Sequence, residues 1–233
     1  MIRIPLCLSY DHDCSYLDHQ IARSVNVDPR YPMSTALYGE LIQQGFRRSG
    51  GDVYKPYCQH CQACLPARVN VAAFTPNRSQ KRCLLRNADT HVVVKPAAFD
   101  EAHYQMYLRY QASRHEGGSM MHLSPDDYMG FLSSDWCNTA FVEFSIAGEL
   151  AAVAVVDQLE QAWSAVYTFF DPKFAVYSPG VYAVLWQIGQ LAENGLTFLY
   201  LGFWIKACKK MAYKNAYQPL QVRVGEQWLD VIE

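Results

Sequence analysis

From Thr139 to Phe170 the chain carries three runs rich in β-branched, aromatic and small apolar residues: Thr139 to Ala147, Leu150 to Gln158 and Ala162 to Phe170. Gly148-Glu149 and the link Leu159 to Gln161 are short enough only for hairpins, so this stretch is expected to fold as an antiparallel meander. Ser178-Pro179 then opens a helix with Val184, Leu185, Ile188 and Leu191 on one face and Gly195 past its end. A strand over Leu196 to Leu201 and a final helix around Lys206 to Lys214 complete the order β-β-β-α-β-α.

That order resembles the core of the N-acetyltransferase superfamily, which implies an α/β fold of the α+β kind. Ahead of it, Ser34 or Thr35 caps a helix with Leu37, Tyr38, Leu41 and Ile42 on its apolar face and Gly45 in the left-handed position that ends it. The stretch through Pro56, the cysteines and Pro66 reads as a loop, and Arg68 to Phe74 as a short strand. Helices follow from Asp100 to Arg114 and after the cap Ser124-Pro125-Asp126-Asp127. The pattern changes near Lys95-Pro96. Two regions are therefore expected: residues 1–95, small and cysteine-containing, and residues 96–233, the acyltransferase-like domain.

Charge is distributed unevenly. Arg47 to Arg86 holds eight Lys or Arg against one acid, Asp52, a formal +7 in a chain whose net charge is −2. Asn87 to Trp163 holds eleven acids against three Lys or Arg, whereas Tyr200 to Asn215 has Lys206, Lys209, Lys210 and Lys214 and no acid. Two basic segments thus flank an acidic middle, an arrangement suited to an anionic partner. The longest plain apolar stretch, Leu150 to Val156, is far below the ~20 residues of a membrane span, and Met1 to Leu6 lacks the apolar run of a secretory signal. A cytoplasmic protein with no membrane partner is expected. There, closely spaced cysteines point to metal binding or free thiols rather than disulfides. Cys58, Cys61 and Cys64 fall at two-residue gaps.

Longer motifs narrow the field: Gly45-Phe46-Arg47-Arg48-Ser49-Gly50, the run from Tyr54-Lys55-Pro56 through the cysteines to Arg68, Arg78-Ser79-Gln80 with Arg82, Tyr167-Thr168-Phe169-Phe170-Asp171-Pro172, Tyr200-Leu201-Gly202-Phe203-Trp204-Ile205, and Lys210-Met211 with Tyr213-Lys214. In this order they resemble the arginyl-tRNA protein transferase family, in its short bacterial leucyl-transferring branch, from Cys14 to about Trp228. The resemblance implies Cys14 as a partner of Cys58, Cys61 and Cys64, and together they make four thiolates, a set that suits tetrahedral zinc or an iron–sulfur cluster. Packed, reduced thiols are the alternative. Tyr110, Ser113, Arg114 and His115 are similar as well; that lone His is more often structural than a base. The chain departs from the branch at Asp18-His19-Gln20, where Pro-Gly-Arg is usual, and at Pro179, where Leu is typical.

The resemblance implies transfer of leucine from leucyl-tRNA to the α-amine of proteins that begin with Asp or Glu, marking them for degradation. That reaction is aminolysis of an activated ester. It needs a neutral, well-placed amine and a stabilised oxyanion, but no covalent nucleophile and no cofactor. Asp157 and Asp171, at strand ends, are candidates to take the amine's proton, and Tyr167 stands beside them; the ordinary reading of the two acids is turn or cap carboxylates. Phe169 and Phe170 are expected at a leucine pocket, with at least one in the core because successive strand residues face opposite sides. Arg78, Ser79, Gln80 and Arg82 are candidates for binding the acceptor carboxylate or tRNA phosphate. Lys206, Lys210 and Lys214 fall at i, i+4, i+8, a stripe for phosphate or a solvated face. Tyr200, Trp204 and Tyr213 are candidates to stack on the terminal adenine, or core. An acyl-CoA acetyltransferase is disfavoured, because the turn from Asp171 to Gly180 has one glycine and two prolines where backbone N–H groups would clasp pyrophosphate. A metal-containing RNA-binding protein without activity is the other rival.

Overall fold

The computed structural model describes residues 3–114 and 121–231; His115 lies outside them. The N-terminal part builds a sheet from β1 (Leu6–Leu8), β4 (Ser24–Val27), β5 (Arg47–Ser49) and β6 (Asp52–Pro56) in the order β1-β4-β6-β5, beside a small ribbon of β2 (His12–Asp13) and β3 (Ile21–Ala22). Its helix α1 (Thr35–Gln43) starts where the sequence places it. The Ser34 hydroxyl accepts from Leu37 N, and Gly45 takes a positive φ after the last turn. Tyr38, Leu41, Ile42, Phe46 and Val53 make its core.

The large sheet has eight strands in the order β14-β13-β7-β12-β11-β10-β9-β8. Its centre is the expected meander, β9 (Thr139–Ile146), β10 (Glu149–Gln158) and β11 (Ala162–Phe170), flanked by β8 (His91–Pro96) and, on the far side, by β12 (Phe198–Trp204), β7 (Leu65–Asn70), β13 (Leu220–Val224) and β14 (Gln227–Asp230). One face packs on α5 (Pro179–Glu193) and α2 (Arg78–Arg86), through Ala183, Ile188 and Leu191 against Val142, Ala154 and Val156. The other face packs on α3 (Glu101–Arg114) and α4 (Pro125–Leu132), through Met106, Tyr107, Tyr128 and Leu132 against Phe141, Val153 and Phe169. This is the expected α/β arrangement, with the meander followed by a helix and a parallel strand. β10 is apolar on both faces because helices cover both. Among the described residues no helix is long and apolar enough to cross a membrane.

Several local expectations are corrected. Asp52–Pro56 is a strand rather than loop, because Arg47–Ser49 folds back on it in a hairpin turned by Gly50 and Gly51. Gly50 sits at φ +58 with the Gly130 carbonyl 2.1 Å from where a Cβ would stand, so this turn accepts only glycine. The strand near Arg68 runs from Leu65 to Asn70, and residues 71–73 form a 3₁₀ turn. The large sheet takes β7 and β8 from the first 96 residues and its other strands from after residue 96. Arg78 opens a helix, because Asn77 and Gln80 make a reciprocal capping box. The last helix, α6 (Lys209–Ala212), is one turn followed by a 3₁₀ turn over Tyr213–Ala216.

Candidate active site

β11 and β12 run parallel but, among the described residues, pair only at Ala162 with Phe198, Trp163 with Leu199 and Ser164 with Tyr200. Just beyond, each strand carries an extra residue relative to its other neighbour. Val155 and Val156 of β10 pair with Tyr167 and Ala165, which leaves Val166 as the additional residue. Arg68 and Ala67 of β7 pair with Tyr200 and Gly202, which does the same for Leu201. An extra residue bends its strand and sharpens the local twist. Two such bulges fall on adjacent strands at their last shared pair, where the ladder ends, and the cleft is the unpaired gap between Ala165–Phe170 and Leu201–Trp204.

One wall belongs to β11 and α3. The Tyr167 hydroxyl accepts from Gln111 Nε2 at 2.9 Å, so its own proton is free to donate. Burial raises its pKa, with Tyr110 next in effect, so it stays protonated. Phe170 meets Tyr110 at 5.0 Å between ring centres and lies under Arg114. Phe169 is fully buried between Tyr107 and Tyr128, which removes it from the expected leucine pocket and leaves Phe170. Asp171 caps the following turn by accepting from Lys173 N at 3.1 Å and is paired to Arg109 at 3.0 Å. Both of its oxygens are engaged, as the cap reading has it.

The other wall belongs to β5 and β12. Consecutive arginines on β5 point to opposite faces. Arg48 turns into the core, where its Nε and Nη2 meet Asp157 at 2.7 and 2.5 Å and Nη2 also reaches the Leu132 carbonyl and Thr139. Both side chains of this pair are 0% exposed. Asp157 is therefore corrected from proton acceptor to buried anchor: it has no face on the cleft. Arg47 turns toward the cleft, half-buried, with its guanidinium over the rings of Tyr54 and Phe203 at 5.9 and 5.7 Å. It lies against Gly202, whose φ of +74 favours glycine.

Lys214 closes the floor. It is 4% exposed and donates from Nζ to the Phe203 carbonyl at 2.5 Å. Burial first, and Arg47 second, pull its pKa down to about 7, against the opposite pull of Cys208 and Cys64. The expected stripe of Lys206, Lys210 and Lys214 is thus broken: Lys206 precedes α6, Lys210 is exposed on it, and Lys214 is inside. Tyr213 is 53% exposed, within the electrostatic reach of both Tyr110 and Arg47. Tyr200 and Trp204 are core residues rather than stacking platforms. Tyr200 accepts from Arg68 Nη1 at 3.4 Å, and Trp204 donates to the Ala212 carbonyl.

On α2, Gln80 is buried and donates to the Ala216 carbonyl at 2.9 Å, and Ser79 donates to Asn77, so neither is an anion ligand. Arg78 and Arg82 remain exposed. The Gln80–Ala216 bond fastens α2 to the segment after α6, which places both basic segments of the sequence side by side. Asn87 and Arg86 bind the carbonyls of Tyr177 and Val176 and hold α2 against the proline-containing turn.

The cysteines gather beneath Arg47. Cys14, Cys58, Cys61 and Cys64 are half-buried free thiols, and Cys64 is pushed up to about 12 by burial and by the neighbouring Cys14, Cys58, Cys61 and Cys208. The donor chemistry suits a thiophilic ion, yet the sulfurs stand too far apart to make a closed cage. Among the described residues, the group of three or more ligating side chains within 4.8 Å of one another is Asp100, His103 and Glu143. There Lys95 and His103 already engage Glu143 at 2.6 and 2.7 Å. Sequence reasoning missed Gln111, Arg109 and Cys208; only the packing of α3 and the turn before α6 brings them to the cleft. It also missed Arg68, whose guanidinium lies between Phe198 and Trp228 at 3.6 and 4.2 Å.

Comparison with known proteins agrees with this geometry. Residues 12–82 match the family described as Arginine-tRNA-protein transferase, N terminus, and residues 102–224 match Arginine-tRNA-protein transferase, C terminus. A protein of Pseudomonas paraeruginosa named aspartate/glutamate leucyltransferase is 45% identical over 229 residues, covering 98% of this chain and 97% of that one. One of the same name from Teredinibacter turnerae is 46% identical, covering 99% and 96%. Among solved structures, the C-terminal domain (DUF2156) of a protein described as a lysylphosphatidylglycerol synthetase from Agrobacterium fabrum aligns with a TM-score of 0.51 at 16% identity, over 71% of this chain and 61% of that one. That likeness concerns the fold alone.

Proposed function

The chain belongs to the arginine-tRNA-protein transferase family, and from that premise we propose that it is an aminoacyltransferase that moves leucine from leucyl-tRNA to the α-amine of proteins beginning with Asp or Glu. The observation that carries this reading is the full-length similarity to aspartate/glutamate leucyltransferases, and the parted strands give the chemistry a place. In the reaction the amine attacks the ester carbonyl, a tetrahedral oxyanion forms, and the C–O bond to the tRNA ribose breaks while the amide forms and the amine's proton leaves with the ribose oxygen. Tyr167, held as an acceptor by Gln111, points its free proton toward that oxyanion. Tyr110 and Phe170 offer an apolar surface for the leucyl side chain. The exposed Arg78, Lys81, Arg82, Lys209 and Lys210, brought together by the Gln80–Ala216 bond, suit the tRNA backbone.

The cysteines enter as scaffolding for Arg47 and Lys214, with zinc, an iron–sulfur cluster or no ion at all. Metal analysis of anaerobically purified protein decides: stoichiometric metal that disappears in Cys58→Ser assigns the sulfurs to an ion, and equal low metal in both assigns them to packed thiols.

The function is tested with labelled leucyl-tRNA and peptides starting with Asp or Ala. Label on the Asp peptide is expected. Its absence overturns the reading, and label from arginyl-tRNA alone moves the donor assignment.

A further inference from the structure

Among the described residues, no carboxylate pairs with the positive charge of Arg47. Arg23, Arg30, Arg48 and Arg109 each meet a carboxylate at 2.5 to 3.0 Å. Arg47 meets two aromatic faces instead. The ionisable groups that act most strongly on it are Tyr54, Tyr16, Tyr38 and Arg48, with Tyr213 also in reach, and those on Lys214 are Arg47, Cys208 and Cys64. No acid appears in either set among the described residues. Two cations in a partly dehydrated site repel each other and are poorly solvated, so an anion that entered would gain more than at an open surface. The guanidinium is a planar fork, matched to a carboxylate in two parallel hydrogen bonds.

We infer that Arg47, with Lys214 behind it, receives the side-chain carboxylate of the acceptor protein's first residue and is the specificity-determining residue for acidic N-termini. The inference rests on the transferase reading for the identity of the ligand. The position fits a short acid rather than a nucleic-acid phosphate. Arg47 is half-buried against the adjoining rings of Tyr54 and Phe203 at the mouth where the strands part, whereas the lysines and arginines of α2 and α6 are open to solvent. A carboxylate on a one- or two-carbon stem reaches such a slot and leaves the neighbouring α-amine in the cleft beside Tyr167. A phosphodiester carries a ribose on either side.

The test pairs two readouts on wild type, Arg47→Gln and Arg47→Lys. Binding of peptides that begin with Asp or Asn is followed by chemical-shift titration without donor, and leucine transfer to the same peptides is followed with leucyl-tRNA. A charged hydrogen-bonded pair is worth a factor of about 10 to 150, so the Asp-over-Asn preference should fall by that amount in Arg47→Gln in both readouts. Arg47→Lys, which keeps a cation beside the same rings, should fall between the two and carries the test if the glutamine variant melts early. An undiminished preference in the variants overturns the inference. So does weaker leucyl-tRNA binding in Arg47→Gln with the acid preference intact, which would assign Arg47 to tRNA. If wild type transfers no leucine yet loses acid-selective binding with Arg47, the transferase reading falls and this inference stands.

Discussion

Replacing Asp157 by Asn separates an anchor from a catalyst. The wild-type pair is dry: both side chains are 0% exposed, with two hydrogen bonds between them and a third from Thr139 Oγ1 to Asp157 at 2.8 Å. With the amide in place of the carboxylate, Arg48 keeps neutral acceptors alone: one amide oxygen at position 157, the Gly50 and Leu132 carbonyls and Thr139. Stranding one member of a buried pair costs about 3 to 5 kcal/mol, and Arg48→Met should cost as much. Replacing both, as Arg48→Met with Asp157→Leu, removes the stranded charge and should recover most of the loss, so the two changes are strongly non-additive. The assay is urea unfolding at pH 7. With a slope of about 2 to 3 kcal/mol per molar, each single change should lower the midpoint by ~1 to 2 M and the double change by much less. At a temperature where the variants are folded, leucine transfer should stay within about tenfold of wild type, the scatter of an indirect effect. An unmoved midpoint with transfer down a hundredfold would refute this reasoning and restore Asp157 as the group that takes the amine's proton.

Two other changes probe the cleft directly. Tyr167→Phe removes the proposed oxyanion donor and should lower kcat about 100- to 1,000-fold with little change in KM for either substrate, measured by single-turnover transfer; unchanged kcat would remove the role. Lys214 has its pKa lowered to about 7 in the folded chain, by burial and by Arg47, so between pH 7 and the usual lysine range the unfolded chain binds a proton that the folded one lacks. Stability should therefore rise with pH across that window, by at most ~1.4 kcal/mol per unit from this residue. That contribution should vanish in Lys214→Met, read from urea midpoints at pH 7, 8 and 9, and an equal slope in both proteins would contradict the buried placement.

The meander, α1, α4 and α5 are legible in the sequence because short-range rules decide them: period-two runs with links of two or three residues, Ser34 and Ser124 as caps, and a proline at the start of α5. The misreadings share a cause. Lys206, Lys210 and Lys214 have helical spacing, but the chain leaves the helix after Ala212, and a buried acceptor at Phe203 draws Lys214 inside; spacing carries no information about that carbonyl. Asp157 looks like any strand-end carboxylate until Arg48, 109 residues earlier, is folded onto it. Tyr200 and Trp204 share their aromatic character with nucleobase platforms, and only the sheet order, which sets β12 between β7 and β11, makes them core. The family motifs located the chemistry because they gather residues from both sides of the cleft, yet they do not separate those that line it from those that hold it up.

The separation matters because the reaction joins two anions that must not compete for one site. A tRNA end presents many phosphates and meets many exposed cations. Arg78, Lys81, Arg82, Lys209 and Lys210 are open to solvent, so their attraction is screened at physiological salt, where the Debye length is about 8 Å. The acceptor presents one carboxylate and meets Arg47, half-buried against two rings, where counterions penetrate less. A uniformly basic cleft would draw tRNA phosphate into the acceptor's place and lose its preference for acids as salt fell. With the cations divided, raising salt from 50 to 200 mM should raise the KM for leucyl-tRNA severalfold and leave the Asp-over-Asn preference nearly constant, both read from initial transfer rates. Parallel loss of the two would mean a single shared anion surface, and the division of Arg47 from α2 and α6 would have no functional meaning.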